Sequence, residues 1–204
     1  ALIRLENARR DFVANVSHEL KTPITSIKGF VETLLDGALE DRDSARRFLA
    51  TIGKQATRLD ALIEDLLKLS RVEQEGERGG IELHDGPIQD ILESAVQTCG
   101  VRALAKDVRI HLHADNDLYV RRNPELLQTA IENLLDNAVK YSPEGTDVHV
   151  SAVRENGMIV IGVRDEGCGI ERQHLPRIFE RFYRVDKARS RKLGGTGLGL
   201  AIVK

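Results

Sequence analysis

Apolar side chains recur every three or four residues in the first third of the chain, and this spacing constrains the fold more than any other feature. Such a pattern is typical of a helix with one apolar stripe. We predict a helix from residue 1 to about residue 38, bent at Pro23 because proline removes a backbone donor and clashes with the preceding turn. The stripe consists of Val13, Val16, Leu20, Ile24, Ile27, Val31 and Leu34.

A second helix is predicted from about Ser44 to Val72, after a turn at Gly37 and a cap at Asp43 or Ser44. Its apolar positions are Phe48, Ile52, Ala56, Leu59, Ile63, Leu66 and Leu69. The two helices form an antiparallel hairpin that cannot cover its apolar seam alone, so we expect a two-fold dimer with a four-helix bundle. The alternative is a hairpin packed on the C-terminal part of its own chain.

The pattern changes beyond a polar, glycine-rich linker at residues 74–80. Strands are predicted at 81–84, 108–113, 147–153 and 158–163, and helices at 87–106 and 123–140. The segment 165–199 is rich in glycine and charge, and loops of this length are usually functional. A helix starts near Ala201 and breaks off at Lys204, so we expect a piece of a longer protein.

Composition excludes several classes. The net charge of -2 argues against a nucleic-acid binder or an anionic-membrane binder driven by bulk charge. Cys99 and Cys168 are far apart and fit no CxxC pattern, which indicates a reducing compartment without a disulfide framework. No apolar run approaches the ~20 residues that span a bilayer.

Four groups of residues are candidates for chemistry. His18 is at heptad position f if Val13 is a and Val16 is d, so its imidazole faces solvent. Asn133 and Asn137 share a helix face, and amide oxygens suit Mg²⁺ that retains water and phosphate ligands. Their alternative is a pair of surface asparagines.

Asp165 follows an apolar strand, beside Gly167 and Gly169. This is either a turn or a site where the carboxylate accepts from an exocyclic amine while the glycines admit a flat base. Residues 194–200 (GGTGLGL) precede a helix, where backbone N–H groups form an anion site. A charged loop precedes these glycines and no Lys-Ser/Thr follows them, so they match neither a dinucleotide fingerprint nor a Walker A loop.

In this order, the motifs resemble those of the sensor histidine kinases of two-component signalling. SHELKTP (17–23) resembles the phospho-acceptor box, NLLDNAVKYS (133–142) the N box, DEGCGI (165–170) the G1 box, FERFYRVD (179–186) the F box and GGTGLGLAIVK (194–204) the G2 box. The resemblance covers essentially the whole chain. Residues 9–38 look most like the phosphate-responsive sensor kinases.

The resemblance implies a dimerisation and histidine-phosphotransfer domain at residues 1–75, a linker at 76–80 and an ATP-binding domain at 81–204. The latter would be an α/β two-layer sandwich of the Bergerat (GHKL) type, without its last helix and strands, and residues 171–194 would be its mobile lid. The chain would be the cytoplasmic portion of a homodimeric bacterial kinase, anchored to a membrane only through absent N-terminal regions.

The resemblance also implies ATP and Mg²⁺ as cofactors. Asn137 would bind Mg²⁺, Asp165 would accept from the adenine amino group and Arg184 would reach the γ-phosphate. The other nucleotide-binding residues would be Asn133, Lys140, Tyr141, Gly167, Gly169, Gly195, Thr196, Gly197, Leu198 and Gly199.

By the same resemblance, His18 would be the phosphorylated residue. A neutral exposed imidazole is a nucleophile, and Glu19 can accept from one ring nitrogen and raise the nucleophilicity of the other. The phosphoryl group would pass to an aspartate of a response regulator. Thr22 would position the water that dephosphorylates this partner.

Two alternatives remain. One is an ATP hydrolase of the same nucleotide fold, like type II topoisomerases or mismatch-repair ATPases, which place a general-base glutamate four residues before the metal-binding asparagine. Here Asn133 is at that position and Glu132 lies on a different face, which favours transfer to His18. The other is a dimerisation module with a dead kinase site.

Overall fold

The structure, a computed structural model, describes residues 2–77, 80–115, 117–186, 190 and 194–204. The chain divides into two compact units. The first contains the helical part of the chain up to Leu67, together with Ser190 and residues 194–196. The second begins at Lys68, contains all the strands and includes residues 197–204.

The first helix, α1, spans Leu2–Thr33 and passes through Pro23 without ending. The side chain of Pro23 is less than 2% exposed, which places it among the most buried in the molecule. A π-helical turn, Leu34–Ala38, follows α1, and Gly37 in it has φ 110°. This positive φ favours glycine and explains why the helix stops where the sequence predicts a turn.

The second helix, α2, spans Arg42–Glu77 and starts after Asp41, which accepts hydrogen bonds from Ser44 Oγ at 2.5 Å and Asp43 N at 3.1 Å. Asp41 is therefore the capping residue, and the predicted cap at Asp43 or Ser44 is wrong. These hydrogen bonds lower the pKa of Asp41, and the bond from Ser44 has the largest effect.

The predicted linker is also wrong at its start, because residues 74–77 belong to α2. Gly76 costs only about 1 kcal/mol relative to alanine inside a helix, and no proline interrupts the segment. Residues 78 and 79 of the predicted linker lie outside the described residues.

Only part of the predicted hairpin stripe is covered in a single chain. Val13 is 57% exposed, Ile24 52% and Ile63 42%, whereas Leu62, which was not in the predicted stripe, is 3% exposed. The buried side chains of the hairpin include Pro23, Leu34, Leu62 and Leu69. Within one chain, several positions of the predicted stripe are therefore uncovered, because helix periodicity marks apolar residues but not which neighbour covers them.

The described residues of the second unit form five strands. They are β1 (His84–Pro87), β2 (Arg109–Ala114), β3 (Tyr119–Arg122), β4 (Asp147–Glu155) and β5 (Met158–Arg164). β1 and β3 form an antiparallel pair, while β4 pairs in parallel with β2 and antiparallel with β5. Asn156 (φ 51°) and Gly157 (φ 80°) make the tight β4–β5 turn that the sequence predicts.

The helices α3 (Gln89–Ala105), α4 (Pro124–Tyr141) and α5 (Gly199–Val203) accompany these strands. Asn123 caps α4 by accepting from Leu126 N at 3.0 Å, with Pro124 in the first turn. The core lies between helices and sheet and includes Leu92, Ala95, Cys99, Ile131, Leu135, Val148, Val150 and Ala152. The predicted order of a helical hairpin and an α/β two-layer domain is confirmed.

No helix among the described residues combines the length and apolar character needed to cross a membrane.

Candidate active site

His18 lies on α1 with its side chain exposed, as the heptad position predicts. Thr22 lies one turn later and is also exposed, and its Oγ1 donates to the backbone oxygen of His18 at 3.0 Å. Ser17 makes the same kind of bond to Val13 O at 2.9 Å. The imidazole and the Thr22 hydroxyl therefore lie on one accessible face of the helix.

The carboxylate of Glu19 is paired with α2. Its Oε2 accepts a hydrogen bond from Nη2 of Arg58 at 2.8 Å, and both side chains are only 13% exposed. Sequence reasoning did not find Arg58, because nothing local distinguishes this arginine from the others on α2. The available signal was that Arg58 directly precedes Leu59, a residue of the predicted apolar stripe. A side chain at position 58 therefore lies beside the covered side of α2.

In the second unit, the C-terminal half of α4 carries four predicted site residues. Asn133 Nδ2 donates to Thr129 O at 2.8 Å, and its Oδ1 is 2.8 Å from the point where a Cβ on Gly199 would lie. Asn133 therefore fits against α5 only because residue 199 is glycine. Asn137, one turn later, is half-buried.

The end of α4 is held by Lys106, whose Nζ donates to Val139 O at 2.8 Å and to Lys140 O at 2.6 Å. A cation at this place satisfies carbonyl groups that have no partner within the helix. Lys140 Nζ lies 5.8 Å from the centroid of the Tyr141 ring. This capping fixes the backbone from which both side chains extend.

The loop after β5 lies against the end of α4. Asp165 Oδ1 accepts from Gly167 N at 2.7 Å, and a Cβ on Gly167 would be 3.1 Å from Tyr141 O. Gly169 has φ 70°, which side chains rarely allow. The structure thus brings together Asp165, Gly167 and Tyr141, with the carboxyl group of Asp165 exposed.

Arg184 lies beside the glycine-rich segment. A Cβ on Gly197 would be 3.2 Å from Arg184 Nε and 2.9 Å from Phe182 Cα, so only glycine fits this approach. Gly197 has φ 82°, and Leu198 next to it is fully buried. The backbone of residues 197–199 therefore contacts both Asn133 and the segment that carries Arg184.

Gly195 and Thr196 belong to the first unit rather than the second. Gly195 N donates to Ser190 O at 2.8 Å, and Thr196 Oγ1 donates to the carboxylate of Asp65 on α2. The structure thus does not group these two with the other predicted nucleotide-binding residues.

The predicted lid contains more local structure than a plain loop. Leu175–Arg177 forms a 3₁₀ turn, His174 Nδ1 lies 2.6 Å from the hydroxyl of Tyr183, and the Arg177 guanidinium lies 4.3 Å from the centroid of that ring. Residues 187–189 and 191–193 of the predicted lid lie outside the described residues. The described part is held by short polar contacts.

The pKa values of Cys99 and Asp147, which lie away from these residues, are shifted. Burial, then the charge of Asp136, raises the pKa of the Cys99 thiol to about 12. Hydrogen bonds from Arg109 (2.8 Å) and His111 (2.7 Å) hold the pKa of Asp147 well below its usual range.

The side chains of the second unit fit a magnesium-bound nucleotide. An amide oxygen on α4 is a hard ligand for Mg²⁺, an exposed carboxylate can accept from an adenine amino group, and Lys140 and Arg184 supply positive charge for phosphates. Gly167, Gly197 and Gly199 each lie where a Cβ would be closer than 3.0 Å to another atom. A side chain at Gly167 or Gly199 would displace the side chain of Asp165 or Asn133, and one at Gly197 would displace the backbone of Phe182.

Two family models match the chain. Residues 8–75 match the His Kinase A (phospho-acceptor) domain, and residues 122–204 match the histidine kinase-, DNA gyrase B- and HSP90-like ATPase. The first match contains His18, and the second contains every residue predicted to bind nucleotide.

The sensor-like histidine kinase SenX3 of Mycolicibacterium smegmatis is 45% identical over 201 residues, which are 98% of this chain and 52% of the relative. The phosphate regulon sensor protein PhoR of Pseudomonas aeruginosa is 39% identical over 201 residues, which are 98% of this chain and 45% of the relative.

The solved structure of the Acinetobacter baumannii histidine kinase AdeS has a TM-score of 0.66 and 26% identity, covering 91% of this chain and 83% of that one. The chain spans about half the length of the curated relatives named above. Because both domain models match in the order that the motifs predict, the chain belongs to the sensor histidine kinases of two-component systems.

Proposed function

We propose that this chain transfers the γ-phosphoryl group of ATP to His18 and then to an aspartate of a response regulator. The observation that carries the proposal is the exposed imidazole of His18 within the phospho-acceptor match. The ATPase match supports ATP as the phosphate donor, since its residues include Asp165, Gly167 and Tyr141, which lie together in the structure.

In the nucleotide site, Asn137 would hold Mg²⁺ through its amide oxygen, and Asn133 and Lys140 would line the site beside it. Asp165 would accept from the adenine amino group next to Gly167. Arg184 would contact the γ-phosphate. Bound Mg²⁺ would supply charge neutralisation on the transferring group.

In the transfer step, a lone pair on one His18 ring nitrogen attacks the γ-phosphorus. The bond from phosphorus to the bridging oxygen breaks, and its electron pair leaves with ADP. The proton on the other ring nitrogen passes to the Glu19 carboxylate, so that the product is a neutral phosphorylated imidazole ring.

Hydrolysis by an activated water is less well supported. The amide of Asn133 cannot take a proton from water, and Glu132 Oε1 already accepts from Gln128 Nε2 at 2.9 Å. No glutamate thus occupies the position that an ATP hydrolase of this fold would need, four residues before Asn137.

We propose a homodimer formed through the exposed apolar side chains of the hairpin, among them Val13, Ile24 and Leu67. Burial of such surfaces is the main favourable contribution to association. Residues 1–75 would form the phosphotransfer domain, 76–80 the linker and 81–204 the ATP-binding domain, with Glu77 as the end of α2. The kinase would act in the cytoplasm, anchored to the membrane by other regions.

The test is incubation of the chain with γ-labelled ATP and Mg²⁺. We expect acid-labile, base-stable label on the wild type and on His84→Gln, an exposed control histidine, but none on His18→Gln. Equal labelling of His18→Gln would contradict the proposal. Release of inorganic phosphate without labelled protein would favour the hydrolase. If neither inorganic phosphate nor labelled protein forms, the dimerisation module with a dead kinase site is favoured.

A further inference from the structure

We propose that Arg58 is a positioning residue for phosphotransfer, which holds the Glu19 carboxylate where it accepts the proton of His18. The inference rests on the proposed function, because it assigns a role within the same reaction. The pair joins α1 to α2 across 39 positions of sequence.

The burial of this pair separates it from ordinary surface ion pairs. Arg58 and Glu19 are each 13% exposed at 2.8 Å, whereas the pair Lys28–Glu32 on α1 is 76% and 58% exposed at 3.6 Å. Exposed pairs of the latter kind contribute little to stability because water and salt screen them. A largely buried pair is a specific contact with a defined geometry.

Stability alone is a weak reason for this pair. Removing two charges from water is costly, and apolar residues of similar volume often stabilise such a position equally well. The pair lies directly next to the nucleophile in sequence, where the position and charge of a carboxylate affect chemistry. A role in that chemistry therefore accounts for a charged pair at this point of the hairpin.

Helix geometry shows what Arg58 does to Glu19. Glu19 and His18 are consecutive residues of α1, and the ion pair fixes the Glu19 carboxylate relative to the backbone that also carries His18. A glutamate without a fixed contact samples many rotamers, and ordering it costs conformational entropy. The guanidinium removes that freedom before the reaction begins, as preorganisation requires.

Arg58 acts through Glu19 and does not itself exchange a proton. During transfer the proton leaves the ring nitrogen of His18 and binds the carboxylate, while the guanidinium stays protonated throughout. The contribution of Arg58 should therefore appear in kcat and not in the binding of ATP.

The experiment compares autophosphorylation by Arg58→Met, Arg58→Lys and Arg46→Met, the last an exposed arginine of α2. We expect Arg58→Met to lower kcat at least tenfold, since a misplaced catalytic group can cost about a hundredfold, with KM for ATP within about twofold of wild type. Arg58→Lys should recover most of the loss because it keeps the charge. Arg46→Met should behave as wild type.

A second pair of variants separates positioning from hairpin stability. Glu19→Gln with Arg58→Met should be no slower than Glu19→Gln alone, because Arg58 acts through the carboxylate. Leu34→Ala, which removes a buried hairpin side chain 15 positions after Glu19, should lower the melting temperature with a smaller effect on kcat. An equal kcat loss in Leu34→Ala and Arg58→Met would overturn the inference.

Two further outcomes would also overturn it: a wild-type kcat for Arg58→Met, or a full additional tenfold loss when this change is added to Glu19→Gln. In both cases the wild type still labels His18, so the proposed function stands. A wild-type chain that ATP does not label refutes the proposed function itself.

Discussion

The backbone N–H of Phe182 donates to the carbonyl oxygen of Gly197 at 2.8 Å. Phe182 has φ 63°, a left-handed conformation that a bulky side chain rarely adopts. Such conformations persist where the surrounding structure enforces them, and they concentrate at functional sites. This bond holds the segment that carries Arg184 against the glycine loop of the proposed ATP site.

Gly197→Ala should therefore weaken ATP binding at least tenfold and reduce the free energy of unfolding by about 1–3 kcal/mol, the range for enforced backbone strain. The added Cβ would be 2.9 Å from Phe182 Cα, at a φ of 82°. Calorimetric titration with ATP and thermal melting measure the two effects.

Gly157→Ala is the matched control, since its φ is 80° but no atom lies within 4 Å of the added Cβ. It should lose some stability and keep its affinity for ATP. If both variants lose the same affinity, the close approach to Phe182 is not what shapes the site.

The two cysteines should differ in reactivity. Cys168 is exposed between the two glycines of the proposed adenine loop, whereas Cys99 is fully buried with its pKa raised to about 12. Because the thiolate is the reactive form, a maleimide at neutral pH should label Cys168 quickly and Cys99 only on unfolding. Mass spectrometry of the wild type and of Cys168→Ser measures this.

Mg-ATP should slow labelling of Cys168 if the adenine base lies beside Gly167 and Gly169. An unchanged rate at saturating ATP would place the base elsewhere. The slow labelling of Cys99 provides the internal control for unfolding.

Asp147→Asn should remove a stabilising contribution that depends on pH. Hydrogen bonds from Arg109 and His111 lower the pKa of Asp147 in the folded chain, while an unfolded aspartate titrates near 3.9. The contribution is present above that value and is lost as pH falls through the folded pKa.

The stability difference between wild type and Asp147→Asn should thus be largest near pH 5 and shrink toward pH 2 in urea titrations. Glu144→Gln, an exposed control nearby, should show no such narrowing. A constant difference for Asp147→Asn across this range would contradict the assignment.

Thr22→Ala should lose response-regulator phosphatase activity and keep autophosphorylation. Its hydroxyl lies one turn after His18 on the exposed face and donates to a backbone oxygen that the helix already uses, so α1 should persist without it. Thr25→Ala, also exposed on α1, serves as the control. Equal loss of both activities in Thr22→Ala would show that the residue maintains the helix instead.

Local chemistry made much of the fold predictable. Asn123 and Pro124 start α4 because a side-chain cap and a fixed proline φ act within one turn. Asn156 and Gly157 form the predicted hairpin turn because both tolerate positive φ.

Predictions failed where neighbouring residues carry the same signal or where the signal is too short. Asp41, Asp43 and Ser44 are all capping residue types, and Asp41 is the one that caps α2. That helix continues to Glu77 through the predicted linker. The strand Tyr119–Arg122 is four residues long and forms only because it pairs with His84–Pro87. Four residues carry too little periodicity to indicate a strand, so β3 was not predicted.

The sequence by itself determined the helical hairpin, the α/β domain and the motifs that identify the family, because periodicity, capping and glycine placement act over a few residues. Only the tertiary structure decided that Glu19 meets Arg58, that Gly197 lies under Phe182 and that Gly199 makes room for Asn133. These contacts join residues far apart in the chain. They depend on which faces of the elements meet, and packing of the whole unit sets that choice.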